Sequence, residues 1–218
     1  MNSLLSLIKK VKQRVSPKRF SLNEAHDYWR NTRDSKNKAR LYVEKKCLVR
    51  TDKLVSLFES TEIPRASSIL EFGCNAGRNL AGLFDAGFQD LAGVEISSNA
   101  IDTLRSEYPS LDGIEVHHGL IEDFLKAAPK EVDVSFSMAV FLHIHPDSDW
   151  IFDAIAKITR KYIITVEHES AADSSINRIW NRNYREVFEG KGFVQIQAEV
   201  LTERDFLPGY TARVFKRA

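Results

Sequence analysis

The stretch from Ser68 to Asn79 constrains the fold of this chain more than any other: Ser-Ile-Leu-Glu-Phe-Gly-Cys-Asn-Ala-Gly-Arg-Asn. A short apolar run ends in Glu71, a turn of small residues follows, and a segment of helical composition begins near Asn79. This order predicts a strand, a tight loop and a helix, which together bring backbone and a helix N-terminus to a ligand. Gly73 and Gly77 allow the turn and a close ligand approach because they lack a Cβ atom.

The spacing of the glycines disfavours a nicotinamide dinucleotide. A dinucleotide fingerprint counted from Gly73 requires glycines at positions 75 and 78, where the chain has Asn75 and Arg78. Asn75 is still compatible with a sharp turn, because asparagine adopts left-handed backbone more easily than most residues. The carboxylate of Glu71 cannot help to bind a pyrophosphate, but it can bind a cationic amino group. The loop therefore predicts a ligand that carries an ammonium group.

Composition sets bounds on the class of protein. The chain has 218 residues, of which 43% are hydrophobic, and a formal net charge of +1. These values predict one globular domain with some extra length, and they give no global argument for nucleic-acid binding. The two cysteines, Cys47 and Cys74, form neither a disulfide framework nor a metal-binding pair, so a reducing, cytoplasmic setting is expected. Cys74 is interpreted as a small loop residue, with a reactive thiol as the alternative.

Residues 1–20 form a basic segment with apolar residues at helical spacing. Its apolar part is too short for a membrane span, and its charges follow it, unlike those of a secretory signal. Three interpretations stay open: weak contact with an anionic membrane surface, a solvated arm, or a helix packed on the domain or on a partner. We accordingly divide the chain into this segment, a helical extension at 21–64 and the main domain at 65–218.

Beyond residue 65 the sequence alternates between strand and helix patterns. The main domain is therefore predicted to be an α/β fold with a mostly parallel sheet. The predicted strands span 68–72, 91–96, 114–117, 132–137, 162–166, 193–200 and 210–215. The predicted helices span 78–86, 99–107, 121–127, 148–159 and 176–189. In the extension, a short helix starts at residue 23 and a long one covers 35–60. Tyr28, Trp29 and Arg30 either form a lid over the site or attach the extension to the domain.

Polar residues follow the second, fourth and fifth predicted strands. Glu95 ends the second strand about twenty residues after the glycine loop, where a carboxylate can accept hydrogen bonds from both hydroxyls of a ribose. The alternative is an acid that precedes the next helix. His143 follows the fourth strand and either takes a proton from an acceptor hydroxyl or fixes the loop through a backbone hydrogen bond. His145, beside Pro146, is interpreted as structural or as touching the acceptor.

Strand five ends in Glu167 and His168, which we expect to bind an acceptor at the carboxyl edge of the sheet. The histidines and glutamates of this region lack the fixed spacing of a zinc helix, so no metal is expected.

These motifs together resemble those of the class I S-adenosylmethionine (SAM)-dependent methyltransferases. The chain has Ile-Leu-Glu-x-Gly at 69–73, with Asn75 replacing the middle glycine of the family motif, then Gly-Val-Glu-Ile at 93–96 and Val-Phe-Leu-His-Ile-His-Pro at 140–146. The resemblance covers about residues 66–216 and implies a doubly wound, Rossmann-like sheet of seven strands in the order 3-2-1-4-5-7-6, with strand seven antiparallel. Leu120 occupies the usual position of an aspartate, which is a departure from the family pattern.

The resemblance implies SAM as cofactor and S-adenosylhomocysteine (SAH) as product. Leu120 and Ile121 would enclose the adenine ring, Glu122 or Asp123 would accept from its amino group, and Ser137 and Met138 would line the methionine end. The expected cofactor residues are Glu71, Gly73, Cys74, Asn75, Gly77, Asn79, Glu95, Ile96, Leu120, Ile121, Glu122, Ser137 and Met138. His143 is the expected catalytic residue, and Tyr28, Arg30, His145, Glu167 and His168 are the expected acceptor contacts.

Within the class, the chain is similar to methylases associated with pseudaminic acid and other surface-sugar biosynthesis. The expected acceptor is therefore a small molecule, sugar or glycan that is methylated on oxygen or nitrogen. The alternatives are a catalytically silent SAM-binding protein and a nicotinamide-dependent oxidoreductase. A nucleic-acid acceptor is not expected, because the loop after strand four lacks an N/D-P-P-Y/F motif.

Overall fold

The structure is a computed structural model that describes residues 18–31, 37–169, 176–204 and 206–218. The predicted basic segment lies outside the described residues, except for its last three. No helix in the described ranges is long and apolar enough to cross a membrane.

Seven strands form a single sheet in the order β3-β2-β1-β4-β5-β7-β6. The strands β1 to β5 pair in parallel, and β7 runs antiparallel to both β5 and β6. This is the predicted order, so the fold class is confirmed. The strands are β1 Ile69–Phe72, β2 Leu91–Glu95, β3 Glu115–His118, β4 Val132–Met138, β5 Thr159–His168, β6 Phe193–Val200 and β7 Tyr210–Arg217.

Helices cover both faces of the sheet. The described α-helices are α1 Leu22–Arg30, α2 Leu48–Ser60, α3 Arg78–Asp85, α4 Ser98–Glu107, α5 Ile121–Lys126, α6 Ile151–Ile158 and α7 Tyr184–Glu189. Helix α1 begins with a capping box, in which the Ser21 hydroxyl accepts from the Glu24 amide and the Glu24 carboxylate accepts from the Ser21 amide.

The central strand β1 is buried along its whole length, as expected for a parallel strand covered on both faces. Ile69 belongs to a core cluster with residues of α2 and α3, such as Phe58 and Leu80. Leu70 and Phe72 belong to a second cluster that includes residues of α6 and α7. Alternate side chains of β1 therefore anchor the two layers, and the loop that follows β1 is held between them.

Two predicted helices are shorter than expected. The pattern at 35–60 becomes two 3₁₀ turns, Ala39–Tyr42 and Lys45–Cys47, before α2 begins at Leu48. The pattern at 176–189 becomes helical only at Tyr184, after the Asn183 side chain accepts a hydrogen bond from the Arg185 amide and caps the helix. Residues 176–183 are instead an irregular segment that packs against the site.

Candidate active site

A cavity of about 390 Å³ opens at the carboxyl edge of the sheet. Open parallel sheets place ligands there because the loops after neighbouring strands diverge. The loops after β1, β2, β3 and β4 form one part of its wall. Helix α1, segment 176–179 and residues near 206–210 form the other part.

The loop after β1 has the predicted strained backbone. Gly73, Asn75 and Gly77 all have positive φ values, of 72°, 48° and 77°. A Cβ atom on Gly73 would lie 2.5 Å from Val140 Cγ2, and one on Gly77 would lie 2.5 Å from Leu104 Cγ. Gly77 therefore serves the packing of α3 against α4. It does not line the cavity, and its role as a cofactor contact stays a prediction.

Glu71 is a buried carboxyl group with one unused oxygen. Its side chain is 1% exposed, and Oε1 accepts a hydrogen bond of 2.7 Å from Asn79 Nδ2. Oε2 has no hydrogen-bond partner among the described residues. Burial raises the pKa of Glu71 to about 8, although the Asn79 hydrogen bond and the charge of Arg78 oppose this rise. A cationic donor in the cavity would therefore satisfy Oε2 and stabilise the ionised form.

Glu95 is held by backbone amides at the end of β2. Its Oε2 accepts from the Asn75 amide at 2.9 Å, and its Oε1 accepts from the Ser97 amide at 2.8 Å. Burial raises the pKa of Glu95, and these amides act in the opposite direction. The second lone pair of each oxygen is available to further donors. The carboxylate lines the cavity, and Ile96 and Cys74 line it nearby.

Leu120, Ile121 and Glu122, at the start of α5, line the same part of the cavity. Glu122 Oε1 accepts from Ser148 Oγ at 2.7 Å and lies 3.0 Å from His26 Nε2. Burial alone would raise the pKa of Glu122, but these two hydrogen bonds bring it below its usual range. His26, which the sequence analysis missed, thus connects α1 to the edge of the sheet.

The loop after β4 is organised by Glu167. This carboxylate is fully buried and accepts from Ser137 Oγ at 2.6 Å. It also accepts from the amides of Val140, Phe141 and Leu142 at 3.1 to 3.2 Å. Burial raises its pKa to about 7. Neither Ser137 nor Glu167 lines the cavity, and both fix the loop after β4. Their roles as cofactor and acceptor contacts stay predictions.

His143 lies in the cavity wall with one ring nitrogen committed to the backbone. Its Nδ1 is 2.9 Å from the carbonyl oxygen of Arg178, so Nδ1 carries the proton and Nε2 has the free lone pair. The imidazole stacks on Trp29, with 4.4 Å between ring centroids. Burial and the charge of Arg178 lower the pKa of His143 to about 4. The ring is therefore neutral at physiological pH, and both roles predicted for it are compatible with this geometry.

The other expected acceptor contacts separate into two groups. His145 lines the cavity and stacks edge-on against Trp180. The others do not line it. Tyr28 accepts from Asn37 Nδ2 at 2.8 Å, Arg30 pairs with Asp27 on an exposed surface, and His168 contacts Asn181. Their roles as acceptor contacts stay predictions, since each of these side chains is engaged by other protein groups and lies outside the cavity lining.

Several residues of the cavity wall are not predicted from the sequence. Trp29 itself lines the cavity, which favours a lid for α1 over a purely structural role. Met138 and Asn79 also line it, and their roles as cofactor contacts stay predictions. The missed residues come from segments remote in sequence: His26, Tyr42, Arg50, Ile176, Arg178, Ile179, Phe206, Leu207 and Tyr210. Within the described part of the chain, no group of three or more His, Cys, Asp or Glu residues could hold a metal ion.

Comparison with known proteins agrees with this architecture. Residues 70–162 match the sequence profile of a family described as a methyltransferase domain. A magnesium protoporphyrin IX methyltransferase from Synechocystis, solved with bound SAH, superposes with a TM-score of 0.71 at 13% identity, covering 91% of this chain and 100% of that one. The N-methyltransferase NodS from Bradyrhizobium japonicum, in complex with SAH, gives 0.68 at 14% identity, covering 88% and 98%.

A third solved structure, a putative sarcosine dimethylglycine methyltransferase from Galdieria sulphuraria, gives a TM-score of 0.65 at 15% identity, covering 79% of this chain and 86% of that one. The search of curated protein sequences found no match. Residues 70–162 thus resemble a methyltransferase domain in sequence, and the chain has the fold of these solved methyltransferases. The likeness to these three structures concerns the fold and does not specify an acceptor.

Proposed function

We propose that the protein is a SAM-dependent methyltransferase that acts on a small-molecule, sugar or glycan acceptor, on oxygen or nitrogen. The main support for the proposal is Oε2 of Glu71, which has no hydrogen-bond partner among the described residues. This atom is buried beside the cavity, one strand away from a second carboxylate, Glu95. A ligand with an ammonium group and a ribose satisfies both carboxylates, and SAM carries both groups.

The carboxylates and apolar side chains of the cavity wall are suited to the successive parts of SAM. Glu71 would hold the α-ammonium group, Glu95 the ribose hydroxyls, and Leu120 and Ile121 the faces of the adenine. The carboxylate of Glu122 would accept from the amino group of adenine, while its Oε1 also accepts from protein partners. When bound, SAM supplies a methyl group that its sulfonium has already activated.

The chain's own contribution to the reaction is alignment and proton removal. Trp29 and the loop after β4 exclude water on the side of His143. The imidazole is neutral, and its Nδ1–H bond to the Arg178 carbonyl leaves Nε2 as the acceptor of a proton from the hydroxyl or ammonium group to be methylated. The same hydrogen bond orients the ring. His143 would therefore both accept the proton and fix the loop through the backbone.

The assignment of the acceptor as a sugar or glycan rests on the sequence motifs. The His-Ile-x-Pro sequence at 143–146 and the asparagine in the glycine loop are shared with methylases of surface-sugar biosynthesis. A catalytically silent SAM-binding protein is the second candidate. It would have the same cofactor site, and it differs by showing no transfer to any acceptor.

The first experiment is calorimetric titration and thermal shift with SAM, SAH and NAD. Wild type should bind SAM and SAH but not NAD. Glu95→Ala and the isosteric Glu95→Gln should bind them more weakly, because ribose hydrogen bonds are lost. Glu115→Ala, which removes an exposed carboxylate on the neighbouring strand, is the matched control. Absence of SAM binding by the folded wild type would overturn the proposal, and a preference for NAD would redirect it to an oxidoreductase.

A further inference from the structure

The cavity carries its acidic and basic groups in different places. The carboxylates that line it in the described ranges are Glu71, Glu95 and Glu122, and all three belong to the proposed cofactor site. Beside His143, where the acceptor would lie, the charged side chain in the wall is Arg178. The acceptor side of the cavity is therefore positively charged.

The guanidinium group of Arg178 is unpaired. Within the described part of the chain it forms no hydrogen bond and no ion pair, and its Nε is buried without a partner. It lies over the ring of Tyr28 at 4.3 Å from the centroid and near that of Trp29 at 5.9 Å. Stacking of this kind covers the flat face of a guanidinium and leaves its in-plane N–H donors free. An oxyanion is the group that these donors fit best, because it can accept two parallel hydrogen bonds.

The position of Arg178 is fixed with respect to the proposed base. Its backbone carbonyl accepts the hydrogen bond from His143 Nδ1, and Trp29 packs on both side chains. Segment 176–179 is held in turn by Arg19, whose Nη1 donates to the carbonyls of Ile176 and Ile179. The guanidinium, the indole and the imidazole thus form one continuous wall, which we call the acceptor wall.

Resting on the proposed function, we propose that the methyl acceptor carries a carboxylate or phosphate group, which Arg178 binds while an apolar or planar part of the acceptor packs on Trp29. A neutral or cationic acceptor would leave a partly buried guanidinium without a counter-charge, which is unfavourable. Arg178 is thereby the residue that determines specificity for an acidic acceptor.

The carboxylate of the cofactor has other arginines available to it. Arg78 lies at the start of α3 and donates to Asn79 Oδ1 at 3.0 Å, next to Glu71. Arg50 also lines the cavity, over the ring of Phe206. Burial and the charge of Arg50 lower the pKa of Arg78, so the two arginines are near each other at the methionine end. Arg178 lies instead beside His143 and Trp29.

The test follows the Nε–Hε NMR signal of Arg178 in the SAH-saturated, full-length protein, assigned by its loss in Arg178→Lys. The titrants are glucuronate, glucose 6-phosphate and neutral glucose. We expect the signal to shift with at least one acid and not with glucose, and the relative response identifies carboxylate or phosphate as the better ligand. No shift with either acid, or an equal shift with glucose, would overturn the proposal.

Variants separate this proposal from its rivals. Arg178→Met should weaken binding of the responding acid roughly 10- to 100-fold, since a charge-assisted hydrogen bond is lost. Arg185→Met, which removes an exposed arginine of α7, should leave it unchanged. If Arg178→Met instead weakens SAH but not 5′-methylthioadenosine, the residue binds the cofactor carboxylate and the proposal is wrong. The titration with acids is also run without SAH. If SAH does not bind but an acid still shifts the Arg178 signal, only the proposed function is contradicted.

Discussion

The two ends of the cavity are built in different ways. At the cofactor end, Glu71 and Glu95 lie at the tips of adjacent parallel strands and are held by hydrogen bonds of 2.7 to 2.9 Å. At the acceptor end, His143, Trp29 and Arg178 are held mainly by ring stacking and by one hydrogen bond to a backbone carbonyl. The cofactor end is thus held by a network of polar hydrogen bonds, whereas the acceptor end is assembled from side chains of separate segments.

This difference has a consequence for charge. The cofactor end buries the carboxyl groups of Glu71 and Glu95, whose pKa values are raised, and Oε2 of Glu71 is available to a cation. The acceptor end buries an imidazole, whose pKa is lowered, beside an unpaired guanidinium. The two ends should therefore respond to pH in opposite directions, and substitutions at one end should leave the other unchanged.

The largest expected effect is on cofactor affinity. Glu71→Gln keeps the shape of the side chain but removes the charge that the ammonium group requires, so SAH affinity should fall by roughly 3–5 kcal/mol, the cost of breaking a buried ion pair. Isothermal titration calorimetry measures this loss. With wild type, binding at pH 7 should release a proton from Glu71, seen as an enthalpy that depends on the buffer. An unchanged affinity in the variant would remove Glu71 from the site.

The next effect is on the stability of the free protein. The pKa of Glu71 is raised from 4.5 to about 8, so the folded state binds a proton that the unfolded state has lost, and stability falls as pH rises through that window. Glu71→Gln removes this penalty and should raise the free energy of unfolding at pH 8 by on the order of 4 kcal/mol. At pH 4 it should have little effect. Urea denaturation at both pH values checks the sign.

His143 should contribute the opposite slope. Its pKa is lowered from 6.5 to about 4, so the unfolded state takes up a proton first and stability falls as pH falls through that window. If the contributions of Glu71 and His143 to the pH dependence of stability had the same sign, the proposed difference in charge between the two ends would be wrong.

The same contrast explains what the sequence could predict. The cofactor end arises from contiguous strand–loop–helix segments, so Glu71, Asn75 and Glu95 could be identified from order and spacing. Arg178 could not, because it lies in a segment whose apolar pattern suggested a helix, and only tertiary packing brings it beside His143. The sequence predicts Glu167 at this edge of the sheet, but it does not show that backbone amides of the next loop use the carboxylate oxygens.

A smaller effect is expected from Trp29→Leu, which opens the acceptor wall. Stability should fall by about 1–2 kcal/mol through lost aromatic contact, and the pKa of His143 should rise towards 6.5 as water reaches the ring. The NMR titration of the imidazole measures the second effect. Trp150→Leu, at an exposed position just before α6, is the matched control. SAH affinity should be unchanged, and a parallel loss of SAH binding would show that the two ends are not independent.

The smallest effect concerns α1, the element that contacts both ends. This helix places His26 on Glu122 and Trp29 on His143, so its opening exposes the cofactor and acceptor sides together. Ser21→Ala removes the capping hydroxyl and should cost about 1 kcal/mol of helix stability, which corresponds to roughly fivefold faster amide exchange in α1. Ser56→Ala, on the exposed face of α2, controls for loss of a hydroxyl.

The Asn75 amide decides how the result for Ser21→Ala is read, because it reports on the cofactor end directly. If its exchange is unchanged in the variant, the polar end persists without the helix, and α1 acts as a lid over a preformed site. If it accelerates with α1, the rigidity of the cofactor end depends on the helix, and the two ends form one cooperative unit.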